Sequence, residues 1–308
     1  MLGATIGRIA NRIDHAVLRG LNGQDYQLSP NEGENVCHSG PEGFHHRIFS
    51  GPIVDTDGER QVITYDLHVK HLEDNFPGSI NVFVKYTVEE EEKPGGVIAG
   101  KIGIEYDVRL LGDAEETALA MTNHRFILLI AQFNRSYFNI ADGPTIAGTT
   151  VQLFSATKQD VDDTQIPTGT LSTHPDVRMF TASMPLSITL GDSQPAFDHC
   201  FILPDNPEPT IDTRKYPLRD IAHLFNETSR VNLLASTTEP AFQFYTADGV
   251  NVKSKKNDET LFGPRSGVCL EAGRPINAAN IPELKKWVLL RKGEIYGSYT
   301  TYTAWLSP

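Results

Sequence analysis

The 308-residue sequence is poor in cysteine, and its three cysteines, Cys37, Cys200 and Cys269, lie far apart. This number and spacing fit neither a disulfide framework nor a zinc site, and they are typical of a reducing compartment. No apolar run approaches the ~20 residues that a membrane-spanning helix needs. The first residues also lack the charged and then apolar pattern of a secretory signal. We therefore predict a cytoplasmic protein that has no membrane partner.

Positive charge is also scarce, because 27 Lys and Arg residues stand against 39 Asp and Glu residues and give a formal net charge of −12. Nucleic-acid affinity comes mainly from clustered Lys and Arg, so this balance argues against a nucleic-acid partner. The sequence has no glycine-rich phosphate-binding loop, no serine nucleophile elbow and no HExxH or cysteine-rich metal motif. We predict no metal site and no cofactor.

Long stretches with a 3.6-residue apolar period are missing, and alternation with a period of two recurs instead. Residues 102–110 alternate most clearly, and further strand-like segments are 117–123, 151–154, 187–190, 231–234, 242–246 and 287–290. Turns rich in Gly, Pro, Asn and Asp separate these segments. Many short strands between such turns predict an all-β sandwich or barrel. Since no linker divides the chain, we predict one domain over residues 1–308.

Five polar clusters interrupt the strand-like pattern: GRIANRI (7–13), CHSG (37–40), TNH (122–124), FDHCF (197–201) and RKGE (291–294). Each cluster alone is weak evidence for a functional site, and Glu294 after Gly293 is by itself more typical of a hairpin tip. Together they supply carboxylates, imidazoles and Arg and Asn donors. That combination suits general acid–base chemistry on a neutral, polyhydroxylated ligand.

The order of these motifs resembles the galactose mutarotase (aldose 1-epimerase) family. GRIANRI, CHSGPEGF (37–44), TNH and SYFN (136–139) resemble family motifs in the first half of the chain. VDDTQIPTG (161–169), FDHCFIL (197–203) and FQFYTADG (242–249) continue the resemblance, and residues 266–283 and 289–305 resemble the C-terminal end. The resemblance covers nearly the whole chain and implies a large antiparallel β-supersandwich.

The resemblance also implies an activity, in which a hemiacetal ring opens and closes without a metal or redox cofactor. Glu294 is then the general base at the anomeric hydroxyl, His124 the acid at the ring oxygen, and His38 a second imidazole near them. Asp198, Asn11 and Arg12 are then the groups that hold sugar hydroxyls. A small monosaccharide is the expected partner, and we expect a monomer or a weak dimer.

The sequence departs from the family at three places. The family has more β-structure before its GRxANRI motif, so we expect this chain to lack the first strands of the sandwich. Residues 125–135 separate TNH from SYFN, which are contiguous in the family, so either His124 or Arg135 matches the family His. An Arg there stays charged and cannot act as the acid. Gly273 stands where many family members have a sugar-binding Gln, which leaves the preferred sugar open.

These departures leave several alternatives. The segment 125–135 is either a natural insertion or, like the short N-terminus, the product of an altered transcript. The leading functional hypothesis is an aldose 1-epimerase for free hexoses such as galactose and glucose. The first alternative is a protein of this fold that binds sugar without turnover, because the acid is lost. The second is an epimerase for hexose phosphates, which requires a basic cluster that Arg8 and Arg12 would have to begin.

Overall fold

A computed structural model of the chain describes residues 4–58, 60–123, 138–177, 187–254, 256 and 259–308. The helical elements in these ranges are short 3-10 turns at Asp14–Ala16, Phe44–His46, Glu73–Asn75, Pro175–Val177, Ala278–Asn280 and Lys285–Trp287. The strands in these ranges are β1 (Thr5–Ile6), β2 (Arg12–Ile13), β3 (Val17–Leu21), β4 (Gln24–Gln27), β5 (Val36–Cys37), β6 (Ser50–Asp57), β7 (Arg60–Val69), β8 (Ser79–Lys93), β9 (Val97–Leu111), β10 (Glu116–Ala118), β11 (Thr122–Asn123), β12 (Thr149–Leu153), β13 (Thr157–Val161), β14 (Pro167–Thr173), β15 (Ser187–Thr189), β16 (Asp198–Ile202), β17 (Arg219–Asn226), β18 (Val231–Thr237), β19 (Ala241–Tyr245), β20 (Val252–Lys253), β21 (Thr260–Phe262), β22 (Cys269–Gly273), β23 (Leu289–Arg291) and β24 (Ile295–Leu306).

Two large sheets form the body of the fold. The larger has nine strands in the order β15-β12-β17-β18-β24-β9-β8-β7-β6, and the smaller has five in the order β14-β13-β16-β19-β22. Neighbouring strands are antiparallel throughout both sheets. The remaining pairs, which include β2 with β5 and β1 with β11, are two-stranded.

Alternation along the strands gives each sheet one face toward a shared core, because successive side chains of a strand point to opposite faces. The nine-stranded sheet contributes residues such as Ile104 and Leu233 to this core, and the five-stranded sheet contributes Phe201 and Phe242. Burying a side chain like Phe242, which is 1% exposed, stabilises the fold by roughly 1.5–3 kcal/mol. The Tyr302 hydroxyl donates to the Leu270 carbonyl at 2.7 Å and so joins the two sheets by a hydrogen bond.

The N-terminal segment packs through an apolar cluster of its own, in which Ile9 and Ile13 lie with Trp287 and Val288. The Ala10 N–H donates to the Ala120 carbonyl at 2.6 Å, and the Ala120 N–H donates to the Arg8 carbonyl at 2.9 Å. These bonds fix residues 7–13 against the chain between β10 and β11.

The predicted all-β architecture is confirmed by the two antiparallel sheets. The predicted strand over residues 117–123 is interrupted, because β10 pairs with β23 whereas β11 pairs with β1. Trp287, which we placed in a strand, lies in a 3-10 turn. The architecture does not test the prediction of one domain that lacks its first strands. In the described part of the chain, no helix has the length and apolar character needed to cross a membrane.

His199 lies among aromatic rings on the β16 face that also carries Phe201. Its ring is 4.6 Å from that of His174 and 6.3 Å from that of Phe197, measured between ring centres. Burial, together with the neighbouring His174 and Lys158, lowers the pKa of His199 to about 4. The half-buried His199 ring is therefore neutral near pH 7 and packs against the aromatic rings of the core.

This lowered pKa predicts a loss of stability in acid. The unfolded chain binds a proton at His199 below its ordinary pKa of 6.5, whereas the folded protein does so only below about 4. We expect the free energy of unfolding to fall by about 1–3 kcal/mol as the pH decreases through this window. Urea unfolding at several pH values between about 4 and 6.5 measures this decrease in the free energy of unfolding.

His199→Gln should reduce the dependence of the free energy of unfolding on pH. His68→Gln, which replaces an exposed histidine, should leave this slope unchanged. An equal slope in both variants would contradict the assignment.

Candidate active site

Strand register places three polar side chains on one face of the five-stranded sheet. Cys200 of β16 lies opposite Gln243 of β19, and Gln243 lies opposite Glu271 of β22. Residues directly opposite each other in antiparallel strands share a face, and so do residues two apart along a strand. Asp198, Gln243 and Glu271 therefore lie together, on the face opposite that of Phe242. We call this surface the site face.

Gln243 connects the groups on the site face. Its Nε2 donates to Asp198 Oδ1 at 2.7 Å, and its Oε1 accepts from Asn11 Nδ2 at 3.3 Å. Gln243 and Glu271 are each only 9% exposed. The amide is thus held in one orientation, and it aligns a carboxylate of the sheet with an amide of the N-terminal segment.

The pairing of β2 with β5 brings Asn11, Arg12 and His38 together, next to the site face. Arg12 of β2 pairs with Cys37 of β5, so His38 follows directly after the paired position. The Asn11 N–H donates to His38 Nδ1 at 3.1 Å, and the His38 N–H donates to the Asn11 carbonyl at 2.9 Å. Because Nδ1 accepts a hydrogen bond, a neutral His38 carries its proton on Nε2.

Charge is concentrated around Asp198. Its side chain is exposed by surface area, yet protein surrounds the carboxyl closely enough that burial is the largest cause of its raised pKa. The negative charges of Glu271 and Glu32 raise that pKa further, while the Gln243 hydrogen bond and the Arg12 charge oppose the shift. Asp198 thus has two carboxylates and one guanidinium near it: Glu271 on the site face, and Glu32 and Arg12 on the chain around β2 and β5.

Cys37 is not suited to nucleophilic chemistry. Burial, with the charges of Glu32, Glu271 and Asp198, raises the pKa of its thiol to about 12 despite the nearby Arg12. A thiol with that pKa stays protonated near pH 7, and the thiolate is the reactive form.

A buried ion pair supports the strand that carries Glu271. Arg274 follows directly after β22, and its Nη1 lies 2.9 Å from Glu239 Oε2, with the two side chains 0% and 1% exposed. Breaking a buried pair of this kind by removing one partner typically costs 3–5 kcal/mol. Beside this pair, the Tyr296 hydroxyl accepts from the Met121 N–H at 3.0 Å. The end of β22 and the chain before β11 are therefore held by adjoining buried groups.

Glu294, predicted as the general base, lies outside this cluster. It follows Gly293 in the exposed turn between β23 and β24, and its Oε2 accepts from the Arg291 N–H at 3.0 Å. Gly293 has a φ of 86°, which suits a tight turn. The physical reason is local, since the carboxylate closes its own hairpin. Its placement agrees with the alternative interpretation as a hairpin tip.

His124, Arg135 and the segment 125–135 lie outside the described residues. The described chain ends beside the site before them, because Thr122 Oγ1 donates to the Ala272 carbonyl at 2.8 Å. Thr122 and Asn123 of β11 are both buried. The chain therefore reaches residue 123 next to the strand that carries Glu271.

The structure thus brings together Asn11, Arg12, His38 and Asp198, and it adds Glu271 and Gln243, which sequence reasoning missed. The sequence does contain a signal for Glu271 and Gln243, because each is a single polar residue between apolar neighbours within a strand. Arg8, considered as part of a basic cluster, is instead 2% exposed and its Nη1 donates to the Pro77 carbonyl at 2.8 Å. The described residues include no group of three or more His, Cys, Asp or Glu side chains that could hold a metal ion.

Comparison with solved structures identifies the fold. The GalM/aldose epimerase homologue of C. elegans superposes with a TM-score of 0.74 at 22% identity, over 99% of this chain and 82% of that one. This likeness confirms the mutarotase-like β-sandwich.

Sequence comparison then identifies the family. The profile of the aldose 1-epimerase family matches residues 1–303. The bifunctional protein GAL10 of Pachysolen tannophilus is 37% identical over 97% of this chain, which spans 39% of that relative's length. The galactose mutarotase of Sus scrofa is 28% identical over 97% of this chain and 77% of the relative. The chain belongs to the aldose 1-epimerase family.

The Gln243 network predicts a change in the pKa of Asp198. Gln243→Leu keeps a buried side chain of similar size but removes the hydrogen bond that favours the ionised carboxylate. We expect the pKa of Asp198 to rise further above its ordinary value. An NMR titration of the aspartate carboxyl carbons measures it, with Gln61→Leu on the exposed side of β7 as the control. An unchanged or lower pKa of Asp198 would show that Gln243 does not stabilise its charge.

Proposed function

We propose that this chain is an aldose 1-epimerase that interconverts the α and β anomers of neutral free hexoses. The observation that carries the proposal is Glu271, a carboxylate 9% exposed and directly opposite Gln243 on the site face. Family membership and the names of the relatives, which include galactose mutarotase, support this activity and suggest galactose as a substrate.

The chemistry needs one group to remove a proton and another to supply one. Opening of the hemiacetal ring requires loss of the proton on O1 and protonation of the ring oxygen O5. We assign proton removal to Glu271, in place of Glu294, because Glu271 is the carboxylate that shares a face with Asp198 and Gln243. After rotation about C1–C2, the ring closes on the opposite face and the two protons return.

We assign protonation of the ring oxygen O5 to an imidazole. His124 stays the predicted acid, and Thr122, which precedes it by two residues, donates from Oγ1 to the Ala272 carbonyl of β22. His38 is the second imidazole, and in its neutral form it carries its proton on Nε2 when Nδ1 accepts from Asn11. This arrangement divides the two proton transfers between a carboxylate and imidazoles.

Binding is assigned to polar groups that surround Glu271. Asp198 accepts hydrogen bonds from sugar hydroxyls, while Asn11 and Arg12 donate to sugar oxygens. Gln243 supplies an amide from the neighbouring strand, which offsets the Gly at position 273. The predictions of a cytoplasmic protein and of a monomer or weak dimer are untested and stay predictions.

The assignment of Glu271 predicts opposite outcomes for two similar substitutions. Removing a general base typically lowers the rate about 10²–10⁴-fold, so we expect this loss in kcat for Glu271→Gln. Glu294→Gln should stay within about twofold of the original chain, because Glu294 lies on an exposed turn where substitutions have small effects. Polarimetry of freshly dissolved α-D-galactose and α-D-glucose measures both variants.

Thermal unfolding of each variant shows whether it is folded. If Glu294→Gln abolishes the activity and Glu271→Gln does not, the assignment of the base is wrong. If the folded original chain binds galactose without accelerating its mutarotation, the alternative of a sugar-binding protein without turnover is correct.

A further inference from the structure

Arg12 is held by a two-point ion pair with Glu32. Arg12 Nε lies 2.6 Å from Glu32 Oε2, and Arg12 Nη2 lies 2.9 Å from Glu32 Oε1. Arg12 Nη1 also donates to Asn11 Oδ1 at 3.1 Å. The side chain of Arg12 is 16% exposed and that of Glu32 is 46% exposed. The Nε–Nη2 edge of the guanidinium is therefore occupied before any ligand arrives.

The turn that carries Glu32 is fixed by its own hydrogen bonds. The Asn35 N–H donates to the Glu32 carbonyl, and the Glu32 N–H donates to the Asn35 carbonyl, both at 3.1 Å. The neighbouring Asn31 binds the backbone of Cys37 twice, since its Oδ1 accepts at 2.7 Å and its Nδ2 donates at 3.0 Å. Glu32 is therefore positioned by the same strand, β5, that precedes His38.

An occupied guanidinium edge limits what the site can bind. Carboxylates and phosphates bind arginine most strongly through two parallel hydrogen bonds, for which this edge is well suited. Glu32 already supplies that carboxylate. Arg8, the neighbouring arginine of the motif, is buried and directed elsewhere. An anionic ligand therefore cannot bind Arg12 through its Nε–Nη2 edge while Glu32 occupies that edge.

The negative charges around Arg12 also disfavour an anionic ligand. Glu32, Asp198 and Glu271 are close enough that the charges of Glu32 and Glu271 each raise the pKa of Asp198. Like charges that are only partly screened repel an anion entering the site. A neutral sugar avoids this cost and still finds hydrogen-bond partners on Asn11, Asp198 and Arg12.

We propose that Glu32 is a specificity-determining residue that makes this site select uncharged aldoses over aldoses that carry a phosphate or carboxylate group. This inference rests on the proposed epimerase function. Glu32 acts through Arg12, whose binding edge it occupies, and through its own negative charge.

The test compares Glu32→Gln with Glu34→Gln. Both changes remove one negative charge from the same turn, but Glu34 is 86% exposed and lies 3.7 Å from His15 rather than against Arg12. The substrates are D-galactose, D-galacturonate and D-glucose 6-phosphate, and the readout is kcat/KM for mutarotation. Removing a fixed charge of this kind from a partly buried site changes the affinity for a charged ligand by about a factor of ten. For Glu32→Gln we expect the ratio of galactose to galacturonate kcat/KM to fall about tenfold, mainly through KM for the anionic sugar.

The dependence of this discrimination on ionic strength is a second measurement, and a purely structural role of Glu32 would not change it. Discrimination against the anionic sugars by the original chain should weaken as ionic strength rises from about 0.05 to about 0.5 M. Glu32→Gln should show a smaller salt effect, and Glu34→Gln should behave as the original chain does. Glu32→Ala, which frees the Nε–Nη2 edge of Arg12, is the second variant if Glu32→Gln unfolds.

Failure of the specificity proposal and failure of the proposed function are separable. If galactose turns over and the ratio for Glu32→Gln and Glu32→Ala stays within about twofold of the original, the specificity proposal is wrong. If galactose does not turn over at all, the proposed function fails. Calorimetric binding of galactose and galacturonate to the same variants then tests the selection by Glu32 independently of catalysis.

Discussion

The antiparallel pairing of β16, β19 and β22 determines which side chains meet at the site. One register puts Asp198, Gln243 and Glu271 on the face turned away from the core, and it puts Phe242 and its apolar neighbours on the other. A shift of one residue would exchange the two faces. It would bury the carboxylates among the aromatic rings and expose the core. The packing that stabilises the sandwich therefore also fixes the positions of the polar groups.

The other half of the site comes from a segment far away in sequence. Asn11, Arg12 and His38 are held by β2, β5 and a separate apolar cluster, and they meet the sheet through the bond between Asn11 and Gln243. Glu32 then restrains Arg12 at the open side. The site combines a rigid sheet with a restrained N-terminal segment, so its donors and acceptors are oriented before a ligand binds.

Alternation and turn composition were sufficient to predict an all-β sandwich or barrel. The resemblance of the motifs to a family narrowed this to a sandwich and brought Asn11, Arg12, His38 and Asp198 into one hypothesis. These patterns were not sufficient to choose between Glu271 and Glu294. Glu271 lies within β22 between Leu270 and Ala272, whereas Glu294 follows Gly293 in a turn, and neither local pattern shows which carboxylate reaches the other polar groups of the site. Only the pairing of β22 with β19, a contact between distant residues, separates them. The same holds for Glu32, whose role depends on a contact with Arg12.

The most direct test is a crystal structure of the chain with bound D-galactose. We expect O1 of the sugar within hydrogen-bond distance of the Glu271 carboxylate, with other hydroxyls on Asp198 and Asn11 and with Glu32 still paired to Arg12. A sugar bound elsewhere, or one whose anomeric carbon lies away from Glu271 and near Glu294, would contradict the central claim that the site face of the five-stranded sheet is the active site.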